Sequence, residues 1–143
     1  LKKPPVIIPI LRAALGMSGA LEDVLQDASI GHIGVYRDEK THLPVEYLVK
    51  LPDLKDRDIY LVDPMLATGH SAAYAMKILE QKGADMKRIK FMGLIAAPEG
   101  IQTFLDAYPN TPLYFASLDR QLNEKAYILP GLGDAGDRLL GTQ

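Results

Sequence analysis

The stretch Ile59-Tyr60-Leu61-Val62-Asp63-Pro64-Met65-Leu66-Ala67-Thr68-Gly69-His70-Ser71 constrains the fold more than any other part of this chain. Its first four residues form a short apolar run, which reads as a buried strand. The run ends on a carboxylate, Asp63. A loop of small residues follows, Ala67-Thr68-Gly69, and a helix-like segment begins at Ser71. A strand that passes through a tight loop into a helix is half of a parallel α/β unit. It also makes an anion cradle, because loop N–H groups and the helix dipole both favour negative charge. Asp63, at the strand's carboxyl end, can take a sugar hydroxyl or hold a hydrated Mg²⁺. The alternative is an ordinary strand-to-helix turn. The loop is not a nucleoside-triphosphate P-loop, since no Gly-Lys-Ser/Thr follows, and Gly-x-Gly-x-x-Gly is absent at a strand end.

The same alternation runs along the chain. Val6 to Leu11 reads as a buried strand in which Pro9 marks an edge or a distortion. Ala13 to Gln26 reads as a helix, with apolar Leu15, Leu21, Val24 and Leu25, and with Gly16 and Gly19 for close packing. Ile30 to Arg37 and Val45 to Lys50 flank the polar stretch Asp38 to Pro44 and predict a hairpin arm. Ser71 to Gln81 predicts a helix that turns Ala72, Ala75, Met76 and Leu79 to one side and ends near Gly83. Ile89 to Ala96 and Leu113 to Leu118 are strands. Glu99 to Tyr108 is a helix opened by Pro98. Asn123 to Gln143 reads as loop-rich. The expectation is one α/β domain over residues 1–143, with a mainly parallel sheet flanked by helices. The hairpin arm protrudes at about 30–51, and a C-terminal loop spans about 123–143.

At 143 residues, 48% hydrophobic and 24% charged, the chain can build a core of ordinary size. A net charge of -2 and a pI near 5.9 argue against a duplex-binding surface built on bulk positive charge. With no cysteine there is no disulfide framework, thiolate metal site or Cys nucleophile, and a reducing cytoplasm fits. No apolar run approaches the ~18 residues of a membrane helix. The chain opens Leu1-Lys2-Lys3-Pro4-Pro5 without Met and enters a strand at Val6, so further N-terminal sequence is expected.

Three other motifs carry chemistry. Pro9 to Met17 places Arg12 at a strand end among small residues, where a guanidinium can clamp phosphate oxygens; alone, it would read as a surface arginine. Arg37, at the tip of the predicted arm, is either a solvated charge or a cation that folds over a ligand. Gly131-Leu132-Gly133-Asp134-Ala135-Gly136-Asp137 is expected to be neither helix nor regular strand. Its glycines permit close approach and positive φ, so its backbone could read the edge of a flat heterocycle; a structural Ω-loop is the alternative. Calcium-loop spacing is absent there. His32, His42 and His70 show no metal-ligand spacing, and Ser71 has no recognisable His-Asp partner.

Six ordered blocks resemble one family. They are Pro9–Met17 (PILRAALGM), Gly31–Asp38 (GHIGVYRD), Pro44–Pro52 (PVEYLVKLP), Val62–Ser71 (VDPMLATGHS), Leu94–Gly100 (LIAAPEG) and Tyr127–Arg138 (YILPGLGDAGDR). Together they resemble uracil phosphoribosyltransferase, of the type I phosphoribosyltransferase class. The resemblance implies transfer of 5-phosphoribosyl from 5-phosphoribosyl-1-pyrophosphate (PRPP) to uracil, giving UMP and pyrophosphate, with Mg²⁺ riding on the donor. It implies that Arg12 and Arg37 contact the donor. Asp63, Pro64, Met65, Leu66, Ala67, Thr68, Gly69, His70 and Ser71 would hold the ribose 5-phosphate, with Asp63 on the ribose hydroxyls. Ile128, Gly133, Asp134 and Ala135 would read uracil through the main chain. Asp134 would also face the donor, and Asp134 and Arg37 would be the catalytic pair. It further implies a cytoplasmic homodimer or higher homo-oligomer, with neither membrane nor nucleic acid as partner. GTP-binding occurs in some members, and no residue pattern here assigns it.

Two departures stand out. The family usually has a second Gly where this chain has His70, and it normally carries a helical segment before the block at Val6. Three other readings stand beside this one, the second of them motivated by these departures. One is a phosphoribosyltransferase-like regulator that binds nucleotides and RNA. Another is an inactive fragment that still binds ligand. The third is an enzyme of the same class acting on another base.

Overall fold

The computed structural model describes residues 2–41 and 43–143, so His42 lies outside the described residues. Val6–Leu11 is apolar on both faces, and such a run is stable only with cover above and below. It forms β1, the middle of the sheet. On one side it pairs in parallel with β5 (Ile59–Val62); on the other it pairs first with β2 (Ser29–Ile30) and then with β3 (His32–Arg37). β4 (Pro44–Lys50) returns antiparallel along β3 and closes that edge. Beyond β5 lies β7 (Ile89–Ala96), parallel to it, and β8 (Leu113–Leu118) is parallel to β7 in turn. β6 (Met65–Leu66) pairs with β7 opposite β8, in the same register as β5. The spatial order is therefore β4–β3–β1–β5/β6–β7–β8, with β2 below β3. The sheet is mainly parallel, carries an antiparallel hairpin at one edge, and matches the expected fold class.

Pro9 does not mark an edge. It lies in the central strand, paired with Val62 of β5. The Val6 N–H donates to Asp58 O on the β5 side and Ile7 O accepts from Gly31 on the other side. By alternation the Pro9 nitrogen faces the gap where β2 ends and β3 begins, so its missing N–H costs the ladder nothing.

Three helices cover the two faces. α2 (His70–Gln81) starts one residue earlier than the sequence predicts and buries Ala72, Ala75, Met76, Ile78 and Leu79. With α3 (Pro98–Ala107) it covers Val6, Ile8, Ile10, Leu61 and Phe91. At the centre of this layer Phe104 lies 5.5 Å from Phe91, ring to ring. The opposite face is smaller: Met17, Leu21 and Leu25 pack on Ile7, Ala14 and Val62. The first two belong to α1 (Leu15–Val24). Leu15 and Val24, expected on the apolar side of α1, are exposed. Of its two glycines only Gly16 makes a close approach, to Leu139; a Cβ on Gly19 would meet nothing.

The C-terminal stretch holds more regular structure than expected. β9 (Gln121–Leu122) and β10 (Ile128–Leu129) form a separate antiparallel pair. A helix, α4 (Ala135–Leu140), begins inside the glycine-rich segment. The expectation that Gly131 to Asp137 contains no helix fails there. The Asp134 carboxylate accepts from the Asp137 N–H and supplies a cap strong enough to start the turn. Among the described residues no helix is long and apolar enough to cross a membrane.

Candidate functional site

The carboxyl ends of β1, β3 and β5 open into one hollow, where ligands of parallel α/β sheets are held. The strand line β5/β6 makes room for it. β5 and β6 keep the same register against β7, yet Asp63 and Pro64 between them leave strand geometry. The Asp63 N–H still donates to Met92 O, and Pro64 has no N–H to lose. Asp63 is thereby turned into the hollow. Burial pushes its carboxyl up to about 7, against the opposing pull of the Met65 N–H, which donates to it.

Three cavities meet at Asp63. The smallest, about 100 Å³, lies over the loop and is lined by Met65, Leu66, Ala67, Thr68, Gly69 and Ser71. Gly69 ends this loop at φ +82, a left-handed conformation, and a Cβ there would stand 2.5 Å from Gly100 O. Glycine is therefore required by both backbone and space. The loop and the start of α3 interlock, because a Cβ on Gly100 would in turn strike Ala67 O. The largest cavity, about 630 Å³, is lined by Arg12, Ser71 and Asp134, and also by Val35, Tyr36 and Tyr47 of the arm. The third, about 330 Å³, is lined by Arg37, Tyr127, Ile128, Gly133, Asp134 and Ala135.

The third cavity is shaped by a hydrogen-bonded frame. The Gly131 N–H donates to Asp119 Oδ2 at 2.9 Å, and Ser117 Oγ donates to Asp119 Oδ1 at 2.9 Å. Asn123 Oδ1 accepts from the N–H groups of Lys125 and Tyr127. Leu122 N–H donates to Glu99 Oε1, which ties the small hairpin to α3. Gly131 and Gly133 have φ of +52 and +73, so this loop exposes its backbone in a way that only glycine sustains.

Arg12 follows β1 directly. Its guanidinium reaches Asp137 Oδ1 at 3.7 Å and Thr142 Oγ1 at 3.5 Å, and Thr142 Oγ1 itself donates to Asp137 Oδ1 at 2.6 Å. Arg12 thus leans toward α4 and the residue after it while its side chain stays half exposed. The bonds Leu11–Arg12 and Leu129–Pro130 are cis.

Of the site residues that the resemblance implies, all but Pro64 and His70 line one of these cavities. Pro64 is buried beneath the loop, and its carbonyl accepts from Leu94 and Ile95. His70 is exposed at the start of α2, outside the cradle lining. Arg12 and Arg37 line different lobes, which share Asp63 and Asp134. The arm tyrosines were missed by sequence reasoning, since nothing in residue spacing shows which way a hairpin residue points once its pairing is irregular. Among the described residues no cluster of three His, Asp or Glu side chains can hold a metal on its own.

This geometry has relatives. The profile of the uracil phosphoribosyltransferase family matches residues 1–142. A uracil phosphoribosyltransferase of Paraburkholderia phymatum is 57% identical over 141 residues, which are 99% of this chain and 65% of that protein. This chain therefore spans a little less than two thirds of that relative's length. A solved protein of Aquifex aeolicus superposes with a TM-score of 0.91 at 35% identity, over 97% of this chain and 66% of that one. A purine phosphoribosyltransferase from Pyrococcus horikoshii superposes with a TM-score of 0.66 at 26% identity, over 83% of this chain and 73% of that one. The mainly parallel sheet and its flanking helices are those of the type I phosphoribosyltransferase fold, and the chain belongs to the uracil phosphoribosyltransferase family.

Proposed function

We propose that this chain binds PRPP and uracil and joins them, giving UMP and pyrophosphate. The observation that carries the reading is the convergence of three cavities on one carboxylate. A ribose at Asp63 sends its 5-phosphate into the cradle of Ala67 to Ser71. Its pyrophosphate enters the Arg12 lobe, and C1 faces the lobe of Ile128, Gly133 and Ala135, where uracil lies. The glycine-bearing backbone there offers donors and acceptors suited to the N3–H and carbonyls of uracil. A competing base would leave a buried polar group unpaired.

As the base N1–C1 bond forms, the bond from C1 to the pyrophosphate oxygen breaks through an oxocarbenium-like state, as in other glycosyl chemistry, and uracil N1 gives up its proton to the carboxylate of Asp134, which lines both lobes. No protein nucleophile is required. The chain's contribution is to hold both substrates in line and to neutralise the leaving group. Arg12 supplies fixed positive charge, and Arg37 adds a second guanidinium from the neighbouring lobe. The donor set fits Mg²⁺ carried on pyrophosphate: a metal that keeps its waters needs one or two carboxylates plus substrate phosphates, and Asp63 and Asp134 line the same lobe. When bound, the metal supplies charge stabilisation to the leaving pyrophosphate.

The test is conversion of radiolabelled uracil to UMP with PRPP and Mg²⁺, alongside binding of PRPP and of UMP. Product formed by this chain and lost in Asp134→Asn supports the reading. A folded chain that binds neither PRPP nor UMP refutes it. Binding of both without product instead favours a ligand-binding fragment.

A further inference from the structure

β3 and β4 pair regularly except at one point. Gly34 lies opposite Leu48, but Val35 lies opposite Glu46, so Tyr47 is an extra residue on β4. A bulge of this kind breaks the alternation of the strand and re-aims a side chain. The re-aimed ring has a seat prepared for it. Gly34 has no side chain, and a Cβ there would come within 2.6 Å of Cε2 and Cζ of Tyr47. The ring of Tyr36, from the facing strand, braces it at 6.2 Å between centroids and a tilt of 39°. Both rings line the largest cavity, together with Arg12, Ser71, Asp63 and Asp134.

A half-exposed tyrosine on an arm is commonly a surface residue. Here a bulge, a glycine seat and an aromatic brace all act on the same ring, and that ring lines the lobe that also holds a guanidinium. We infer that Tyr47 is a further ligand of the donor's pyrophosphate, its phenol O–H donating to a pyrophosphate oxygen. This rests on the functional reading above. The chemistry is suitable: a phenol is a neutral donor, and an O–H···O⁻ bond to phosphate is charge-assisted. Pyrophosphate offers more acceptor oxygens than one guanidinium can serve. Tyr36 is regularly paired with Val45 and has the supporting part.

The experiment is calorimetric titration of the full chain with inorganic pyrophosphate in Mg²⁺ buffer, and separately with UMP. It compares wild type, Tyr47→Phe and Tyr36→Phe. Both variants keep the ring and therefore the packing. The expected result is that Tyr47→Phe binds pyrophosphate about tenfold or more weakly, the loss of one hydrogen bond to a charged group. UMP affinity and melting temperature stay unchanged, and Tyr36→Phe stays within about twofold of wild type throughout, as a residue that braces by its ring alone. Wild type that binds both ligands, with Tyr47→Phe indistinguishable from it, overturns the role of Tyr47 alone. Equal weakening of pyrophosphate and UMP also overturns it. Wild type that binds neither ligand overturns the functional reading, and this inference with it.

Discussion

Replacing Asp63 by Asn should stabilise the fold while destroying donor binding, and the gain should depend on pH. The Asp63 carboxyl ionises at about 7 in the folded chain, against 3.8 for an ordinary aspartate, because burial penalises its charge. Below about pH 4 the group is protonated both folded and unfolded and costs nothing. Between about 4 and 7 the folded chain holds a proton that the unfolded chain has released, so stability falls as pH rises. Above 7 the loss is complete. A span of about 3 pH units at about 1.4 kcal/mol each sets a ceiling near 4 kcal/mol. Water entering from the three cavities screens the charge and lowers the expected gain to about 2 kcal/mol. Asn is uncharged and nearly isosteric, so it removes the penalty without a cavity. Urea denaturation at pH 5 and pH 8 measures the effect. Asp63→Asn should exceed wild type by about 2 kcal/mol at pH 8 and by clearly less at pH 5. A pH-independent difference, or a less stable variant at pH 8, would refute the claim that burial strains this carboxylate.

Three other outcomes follow from the structure. Gly69→Ala must hold a left-handed backbone and, in that backbone, sets its Cβ against Gly100 O; it should lose about 2 kcal/mol and most of its affinity for ribose 5-phosphate, read by thermal melting and titration. Phe104→Ala removes the ring that packs on Phe91 and Tyr108 and should cost about 3–5 kcal/mol in urea unfolding, with no selective effect on either ligand. Arg37→Ala, at an exposed position, should raise the donor KM or lower kcat while the melting temperature stays nearly unchanged; a large drop in stability would make Arg37 structural.

The strand-loop-helix unit at Asp63 was legible because its signals are local: an apolar run, a carboxylate, small residues and a helix start lie within thirteen consecutive positions. The alternation of strands and helices was legible for the same reason. Misreadings came where a long-range partner decides. Pro9 reads as an edge or a distortion because sequence does not show that its nitrogen faces the gap between β2 and β3. The start of α4 at Ala135 was missed because three glycines outweigh one Asp cap in any local count, whereas in the fold Gly136 lies against Ala13 and is buried. Gly19 looked like a packing glycine by spacing, but nothing in the fold approaches it. Tyr47 was invisible because a bulge is a property of two strands, and only their register reveals it.

The site also explains an irregularity in the sheet. A continuous strand from Ile59 to Leu66 would satisfy every backbone group, and the constant register of β5 and β6 against β7 shows that such a strand would fit. The chain instead lifts Asp63 and Pro64 out of line. Its neighbour adapts: the N–H groups of both Leu94 and Ile95 turn to the one carbonyl of Pro64. The N–H groups of Asp63, Leu94 and Ile95 all keep acceptors at the break, so its backbone cost is small. What remains is the cost of holding a partly buried carboxylate, and burial pushes its ionisation up. A sheet under selection for stability alone would carry neither the break nor the charge. Both fall at Asp63, among the described residues the only one shared by all three cavities. Local strain that coincides with converging cavities is the pattern expected where binding, rather than folding, has chosen the residue.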